Sequence, residues 1–291
     1  MALYRPTSVH AVLSLVQVET KKARASPRGA NSHVYHAARP SAAPLAVALR
    51  DERDSITIDL ATKHRDLRLH ALQTEPSSFA SSYQQESQWG LDRTIAKLNN
   101  PQTVHWAAIR PVAKTAESSP DDSTLLLSAQ WVGFIALLGP ILSNAQGSGK
   151  ISAKIDPLVQ MQVSGMSSGF TRVDKPVTDH PDTTSGALEF HIGAVFVDQS
   201  ARQRGIGRAL VDAALGEAES QTRRAGVSAF ECTIHVDKGN ASATRLYEKA
   251  GFTVVREETY AQQVTSPETG DVHKVERVAL LLELKRKVSQ V

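Results

Sequence analysis

The chain has 291 residues, 41% of them hydrophobic and 22% charged, which is enough for one large buried core. A single cysteine, Cys232, excludes internal disulfides and cysteine-built zinc modules, and it fits a reducing, intracellular compartment. Lys and Arg total 33 against 30 Asp and Glu, a formal net charge of +3, and no dense basic face marks a nucleic-acid binder; a small anionic ligand suits this balance as well.

In chain order, residues 1–50 carry Arg5, Lys21, Lys22, Arg24, Arg28, Arg39 and Arg50 against Glu19 alone, with Pro, Ala and Ser scattered through the second half. This reads as a flexible N-terminal extension, with ordered structure expected from about Asp51. A mitochondrial presequence is less well supported, because no Arg-rich amphipathic helix is visible, so the cytoplasm is expected and the nucleus stays open. From Ser55 the pattern predicts a short Ile56-Thr57-Ile58 strand, a helix through Leu60, Leu67, Leu69 and Leu72, and a second helix near Gln84–Leu98. Thr103–Pro111 and Gln130–Leu138 read as strands. The apolar run Leu125–Leu142 is interrupted by Ser128, Gln130, Gly133, Gly139 and Pro140, so a buried strand is expected there and no membrane span. Ser143–Gly186, rich in Ser, Gly, Asp, Thr and Pro, reads as an inserted loop with one possible strand at Leu158–Val163. Order returns with a strand Ala187–Val197, a helix Gly207–Arg224, a strand Ala229–Val236, a helix Asn240–Ala250 and strands at Phe252–Glu258 and Lys274–Leu284. Strands alternating with helices imply an α/β fold, a central sheet flanked by helices on both sides, over residues 51–291.

The chemistry concentrates at Val195-Phe196-Val197, followed by Arg202-Gln203-Arg204-Gly205-Ile206-Gly207-Arg208-Ala209. An apolar strand runs into a turn with two glycines, and a helix opens at once. Glycines admit a phosphate close to the backbone N–H groups, the helix N-terminus adds partial positive charge, and the three arginines add more. Taken alone, the same spacing also describes an ordinary tight turn. A dinucleotide fingerprint would need glycine at Leu210, and a Walker-type loop would need Ser or Thr at Ile151 and glycine at Asn144.

A second constellation, Asn240, Ala243, Leu246-Tyr247 and Gly251-Phe252, follows the strand ending at Val236. Together the two resemble the GNAT superfamily of N-acetyltransferases: Arg202, Gly205 and Gly207 match its acetyl-CoA loop, and Asn240 through Phe252 match its second half without a gap. The resemblance spans roughly Ser55–Lys285, with Arg68–Phe79 similar to the first helix and loop of many members. The inserted loop and the N-terminal extension depart from it.

The resemblance implies a GNAT fold with a mixed central sheet, and acetyl transfer from acetyl-CoA to a primary amine by direct attack. Val195, Phe196 and Val197 would offer backbone groups to the pantetheine arm, and Arg202–Ala209, with Gln203 and Ile206 among them, would hold the diphosphate. Asn240 would cap its helix and, with Ala243, border the cofactor. Tyr247 stands where many members place a general acid for the departing thiolate. For the base, Glu189 and His191 lie two apart on one strand and so face the same way, Glu189 being the preferred candidate. No metal is expected, since the histidines show no close ligand spacing. Two rivals stay open: a non-catalytic acyl-CoA-binding or scaffold protein of the same fold, and a serine hydrolase using Ser167 of Gly165-Met166-Ser167-Ser168-Gly169. The partner is an amine acceptor, small or peptidic, with no nucleic acid or membrane; nothing indicates the oligomeric state.

Overall fold

The computed structural model describes residues 12–17, 46–48, 55–110, 122–141, 171–172, 187–266, 269 and 271–289. The strands are β1 (Val12–Gln17), β2 (Ala46–Ala48), β3 (Thr103–Arg110), β4 (Gln130–Ile141), β5 (Thr171–Arg172), β6 (Ala187–Val197), β7 (Ala229–Asp237), β8 (Thr253–Thr265) and β9 (Val272–Lys287). The helices are α1 (Ser55–Thr74), α2 (Tyr83–Ser87), α3 (Leu91–Leu98), α4 (Asp122–Ser128), α5 (Ile206–Arg224) and α6 (Ala241–Ala250). All strands join one mixed sheet in the order β2-β1-β3-β4-β6-β7-β9-β8-β5. The β1/β3 and β6/β7 pairs are parallel and the others antiparallel.

Two cores sandwich this sheet. On one face α5 presents Ile206, Leu210, Val211, Ala214, Leu215 and Ala218, a stripe at helical spacing, to Phe190, Ile192, Phe230 and Cys232. On the other, α1 brings Leu60, Ala61, Leu67, Ala71 and Leu72 against Ala107, Ile109, Trp131, Phe134 and Phe196. The α/β architecture with helices on both faces is therefore as the sequence predicts.

Three details differ. Ile56–Ile58 forms the first turns of α1, where Thr57, Leu60 and Ala61 are buried at three- and four-residue spacing; helical packing overrides the β-branched run. The stretch Gln84–Leu98 is two helices, broken where Gly90 adopts an extended conformation and starts α3. Within the range read as an extension, Val12–Gln17 pairs in parallel with β3 and Ala46–Ala48 pairs with β1. A six-residue Val-Leu-Ser-Leu-Val-Gln strand disappears in a composition averaged over fifty residues. The rest of residues 1–50, the possible strand Leu158–Val163 and the Gly165–Gly169 run lie outside the described residues. The apolar run Leu125–Leu142 divides between α4 and β4, and among the described residues no helix is long and apolar enough to cross a membrane.

Candidate active site

The site begins with a mismatch in strand pairing. β6 pairs with β7 from Ala187↔Ala229 only as far as Ile192↔Ile234, although β6 runs on to Val197 and β7 to Asp237. The two parallel strands therefore part at Ile192, leaving a cleft inside the sheet. On its other side β6 carries a bulge: Gly193 faces Ala136 but Phe196 faces Phe134, and Ala194 takes a positive φ of 51°. The extra residue reverses the alternation, so Leu188, Phe190 and Ile192 pack in the α5 core while Phe196 packs in the α1 core. Beyond the bulge, the β6 backbone from Gly193 onward borders the cleft with its β7-facing groups outside the ladder.

Downstream of β6, Gly205 adopts φ 79° and serves as the N-cap of α5 with no side-chain cap. A residue with a Cβ takes that conformation at a cost, whereas glycine takes it freely. The first-turn amides of α5 are thus left without a side-chain acceptor, which suits an anion. Gly207 has a different reason: a Cβ there would stand 3.2 Å from Leu246 Cδ2 and 3.8 Å from Val197 Cγ2, so glycine lets α5 lie close against α6 and β6.

The arginines around this turn are committed to the protein. Arg202 Nε donates to Val197 O at 2.9 Å and its Nη2 pairs with Glu75 at 2.9 Å. Arg208 pairs with Asp212 on its own helix and donates to Lys249 O at 2.6 Å.

Helix α6 is closed at both ends by the residues of its motif. Asn240 Oδ1 accepts from Ala243 N at 3.0 Å, and Nδ2 donates to Ser78 Oγ at 3.2 Å. At the far end Gly251, with φ 100°, donates to Glu248 O, and Phe252 N–H reaches back to Tyr247 O at 3.0 Å, a Schellman-type end. This fixes Tyr247, whose ring meets Phe252 edge-on and is 4% exposed. Burial pushes its phenol well above the usual range, so it stays protonated.

Cleft and helix open into a cavity of about 150 Å³. Of the residues singled out from sequence, His191, Val195, Asn240, Ala243 and Tyr247 line it; Glu189, Phe196, Val197 and the Arg202–Ala209 segment do not. Phe196 and Ile206 are core residues with 4% and 5% exposure. Glu189 and His191 do share a face, in register with Glu231 and Thr233, but Glu189 lies further from Ile192, where the strands part, than His191 does.

His191 is buried, with Nδ1 3.0 Å from Thr233 Oγ1. The Thr233 hydroxyl also lies 3.4 Å from Phe190 O; when it donates there, its oxygen accepts from Nδ1–H and the lone pair of the ring falls on Nε2. Burial, with His235 beside it, lowers the His191 pKa to about 3. The His235 ring lies 5.4 Å away, its Nε2 3.1 Å from Glu258 Oε2. Burial disfavours the Glu258 carboxylate, but hydrogen bonds from His235 and Arg256 outweigh it and hold Glu258 at about 2.

Among the lining residues His235, Asp237 and Tyr260 escape the motif reading, whereas Ser78 lies within the Arg68–Phe79 stretch similar to the first helix and loop. The alternation of β7 carries a signal for two of them: Phe230, Cys232, Ile234 and Val236 are buried, and the intervening Glu231, Thr233, His235 and Asp237 are polar. Tyr260 and Ser78 arrive from β8 and from the turn after α1, which no local pattern joins to β7.

Residues 165–252 match the model of the Acetyltransferase (GNAT) family. The matched part holds β6, α5, β7 and α6, the elements that build the cleft and the glycine turn. No curated protein matches the chain by sequence. Among solved structures, Arabidopsis thaliana NAA60 in complex with acetyl-CoA is 18% identical, with 81% of this chain and 96% of that chain covered and a TM-score of 0.40. The ribosomal-protein-S18-alanine N-acetyltransferase from Escherichia coli is 14% identical, covering 83% and 94%, with a TM-score of 0.36. Arabidopsis thaliana Naa50 in complex with the bisubstrate analogue CoA-Ac-MVNAL is 17% identical, covering 53% and 65%, with a TM-score of 0.27. Among the described residues, no group of three or more His, Cys, Asp or Glu could hold a metal ion.

Proposed function

We propose that this protein transfers acetyl from acetyl-CoA to a primary amine by direct attack, and that the preferred acceptor is an α-amine. The observation that carries the reading is the parting of β6 from β7 at Ile192, beside uncapped α5 amides and above Tyr247. These features fit the cofactor. The β6 backbone beyond Gly193 offers hydrogen bonds to an extended amide-bearing arm, and the Gly205 turn offers amides to a diphosphate. Acetyl-CoA supplies the activated acyl carbon as a thioester.

The chain's own residues then handle protons. The amine nitrogen bonds to the acyl carbon, the carbon–sulfur bond breaks, and a proton leaves nitrogen while another reaches sulfur. Tyr247, protonated and in the cavity wall, is the donor to sulfur. His191 is favoured over Glu189 as the acceptor from nitrogen, because it lines the cavity with Nε2 unprotonated. A histidine of pKa about 3 is a weak base. It cannot strip a lysine ammonium, whose deprotonation at pH 7.4 costs roughly 4 kcal/mol, but an α-amine near pKa 8 is neutral for under about 1 kcal/mol. The nitrogen becomes strongly acidic once bonded to the acyl carbon, and a weak base suffices from there.

The test uses two peptides: Ala-Gly-Ser-Tyr with a free α-amine, and acetyl-Gly-Lys-Gly-Tyr with only a lysine amine. Thiol release from acetyl-CoA at pH 7.5 should favour the first by at least 10-fold in kcat/KM. Preference for the second would overturn the acceptor assignment, and acetyl-CoA binding without turnover on any amine would favour the non-catalytic reading.

A further inference from the structure

The turn that walls the cavity is held at its ends, by Glu75 on Arg202 and by the buried Phe79 ring, but it has little capping of its own. Pro76–Ser78 is a single short turn whose N-cap, Glu75, makes no side-chain cap, yet Ser78, Phe79, Ala80 and Ser81 line the cavity. A buried amide from far along the chain meets it. Gln262 on β8 is 4% exposed and donates from Nε2 to Pro76 O at 3.0 Å and to Phe79 O at 2.7 Å. Its Oε1 accepts from Arg277 Nη1 at 3.0 Å. Two carbonyls on one side and a guanidinium on the other leave only one orientation of the amide, with both donors and the acceptor used.

The chain of bonds continues from there. Arg277 Nη2 pairs with Asp237 Oδ2 at 2.9 Å, and Asp237 Oδ1 accepts from Gly239 N at 2.9 Å in the turn that leads into α6. Asn240, the α6 cap, then donates to Ser78 Oγ, which returns to the turn where the path began. Tyr260, another wall residue, donates to Asp237 Oδ2 at 3.3 Å within the same ring. The ring ties the acceptor wall to the helix that carries Tyr247. A buried amide costs stability unless every polar atom is paired, and an apolar side chain of the same volume would leave Pro76 O, Phe79 O and Arg277 Nη1 without this partner. Packing alone does not call for an amide here.

We infer that Gln262 is a positioning residue, holding the Pro76–Phe79 turn at the distance from the β6–β7 cleft that a bound acceptor needs, with Arg277 as its anchor. This rests on the acetyl-transfer reading above. The loss of Gln262 donors then acts on the acceptor and leaves the cofactor half alone, because no bond of Gln262 reaches β6 or α5.

The decisive variant is Gln262→Glu in the full chain, which keeps the shape and turns both donors into acceptors facing two carbonyls. KM for Ala-Gly-Ser-Tyr should rise at least 10-fold, while kcat stays within threefold and acetyl-CoA Kd within twofold. In parallel, hydrogen exchange of amides 77–82 should quicken at least 10-fold with that of α5 unchanged. An unchanged KM, or loss of kcat and cofactor affinity together, overturns the inference. Where Gln262→Glu does not fold, Arg277→Met replaces it under the same criteria. If the parent turns over neither peptide, the acceptor reading fails on its own, and exchange at residues 77–82 still decides the role of Gln262: quickened supports it, unchanged sinks it.

Discussion

The two walls of the cavity are built in opposite ways. The side that we assign to the cofactor comes from one continuous run, β6-α5-β7-α6, which borders the cavity and extends past it to the glycine turn, and its devices are backbone conformations: an interrupted ladder, an αL glycine, an uncapped helix end and a Schellman turn. The acceptor wall is a side-chain network whose members sit far apart in sequence, as with Gln262 and Phe79, 183 residues from each other. Backbone devices restrict which residue type can stand at a position, so they leave motifs. Networks restrict combinations of residues, and any one member looks ordinary.

The contrast predicts that the cofactor wall fails abruptly on single substitutions. Gly207→Glu would drive a side chain into Leu246, already 3.2 Å from the missing Cβ, and push α5 off α6. Acetyl-CoA affinity should fall by more than about 100-fold, since closely packed cores do not absorb extra groups without moving backbone. Calorimetry on a folded Gly207→Glu protein that binds as tightly as the parent would break the distinction between the walls.

The same contrast explains how much was readable beforehand. Asn240, Tyr247, Gly251 and Phe252 were legible because capping and chain reversal need those residue types at those spacings. His191 was legible as a candidate from its place on the strand, but its preference over Glu189 was not, because only the point where β6 and β7 separate tells which of the two meets the cavity. The arginines were legible as charge, but the acceptors that Arg202 and Arg208 meet within the protein were not. Gln262, Arg277 and Tyr260 could not be read at all, since β8 and β9 are long amphipathic strands whose polar residues look like any solvated face until the turn after α1 is placed on them.

At the junction of the two walls the expected effects are on rate. Tyr247→Phe should lower kcat by roughly 10- to 1000-fold with acetyl-CoA affinity little changed, as for loss of a general acid to a thiolate of pKa near 8.5. Equal kcat in parent and variant, with chemistry rate-limiting, would reduce Tyr247 to a packing residue. For the base, His191→Ala should lower kcat/KM by about 10- to 100-fold while Glu189→Gln stays within about threefold. The reverse order would move the proton acceptor away from the cavity wall.

Stability against pH follows from the buried groups. Burial holds His105 at about 4 and His191 at about 3, below the ordinary 6.5, so the unfolded chain binds protons that the native chain refuses. That contribution is complete above about pH 6.5 and is lost as pH falls toward 4 and 3. Glu86, disfavoured by burial but paired with Arg68, is held at about 2, and its contribution is lost below about 4.5. Both effects destabilise in acid. Urea midpoints from pH 7 to pH 4 should decline with up to about 1.4 kcal/mol per pH unit for each histidine, and His105→Gln should flatten the curve by one such share. A parent curve without slope in this range would mean that these histidines protonate in the native state.

The smallest effect should come from the residue that charge alone would rank first. Arg208 stands one position past Gly207 at the start of α5, where an arginine would serve a diphosphate well. Its guanidinium instead spans Asp212 and Lys249 O, and leaving both for a phosphate would expose the Asp212 carboxylate to the incoming anion at close range. An exposed i,i+4 pair contributes only about 0.3–0.5 kcal/mol, so its loss barely disturbs α5. Arg208→Ala should therefore weaken acetyl-CoA binding by less than about threefold, with a salt dependence close to that of the parent. A 30-fold loss that disappears at high salt would show Arg208 turning from Asp212 to the phosphates, and the cofactor wall would then depend on side-chain charge as well as on backbone.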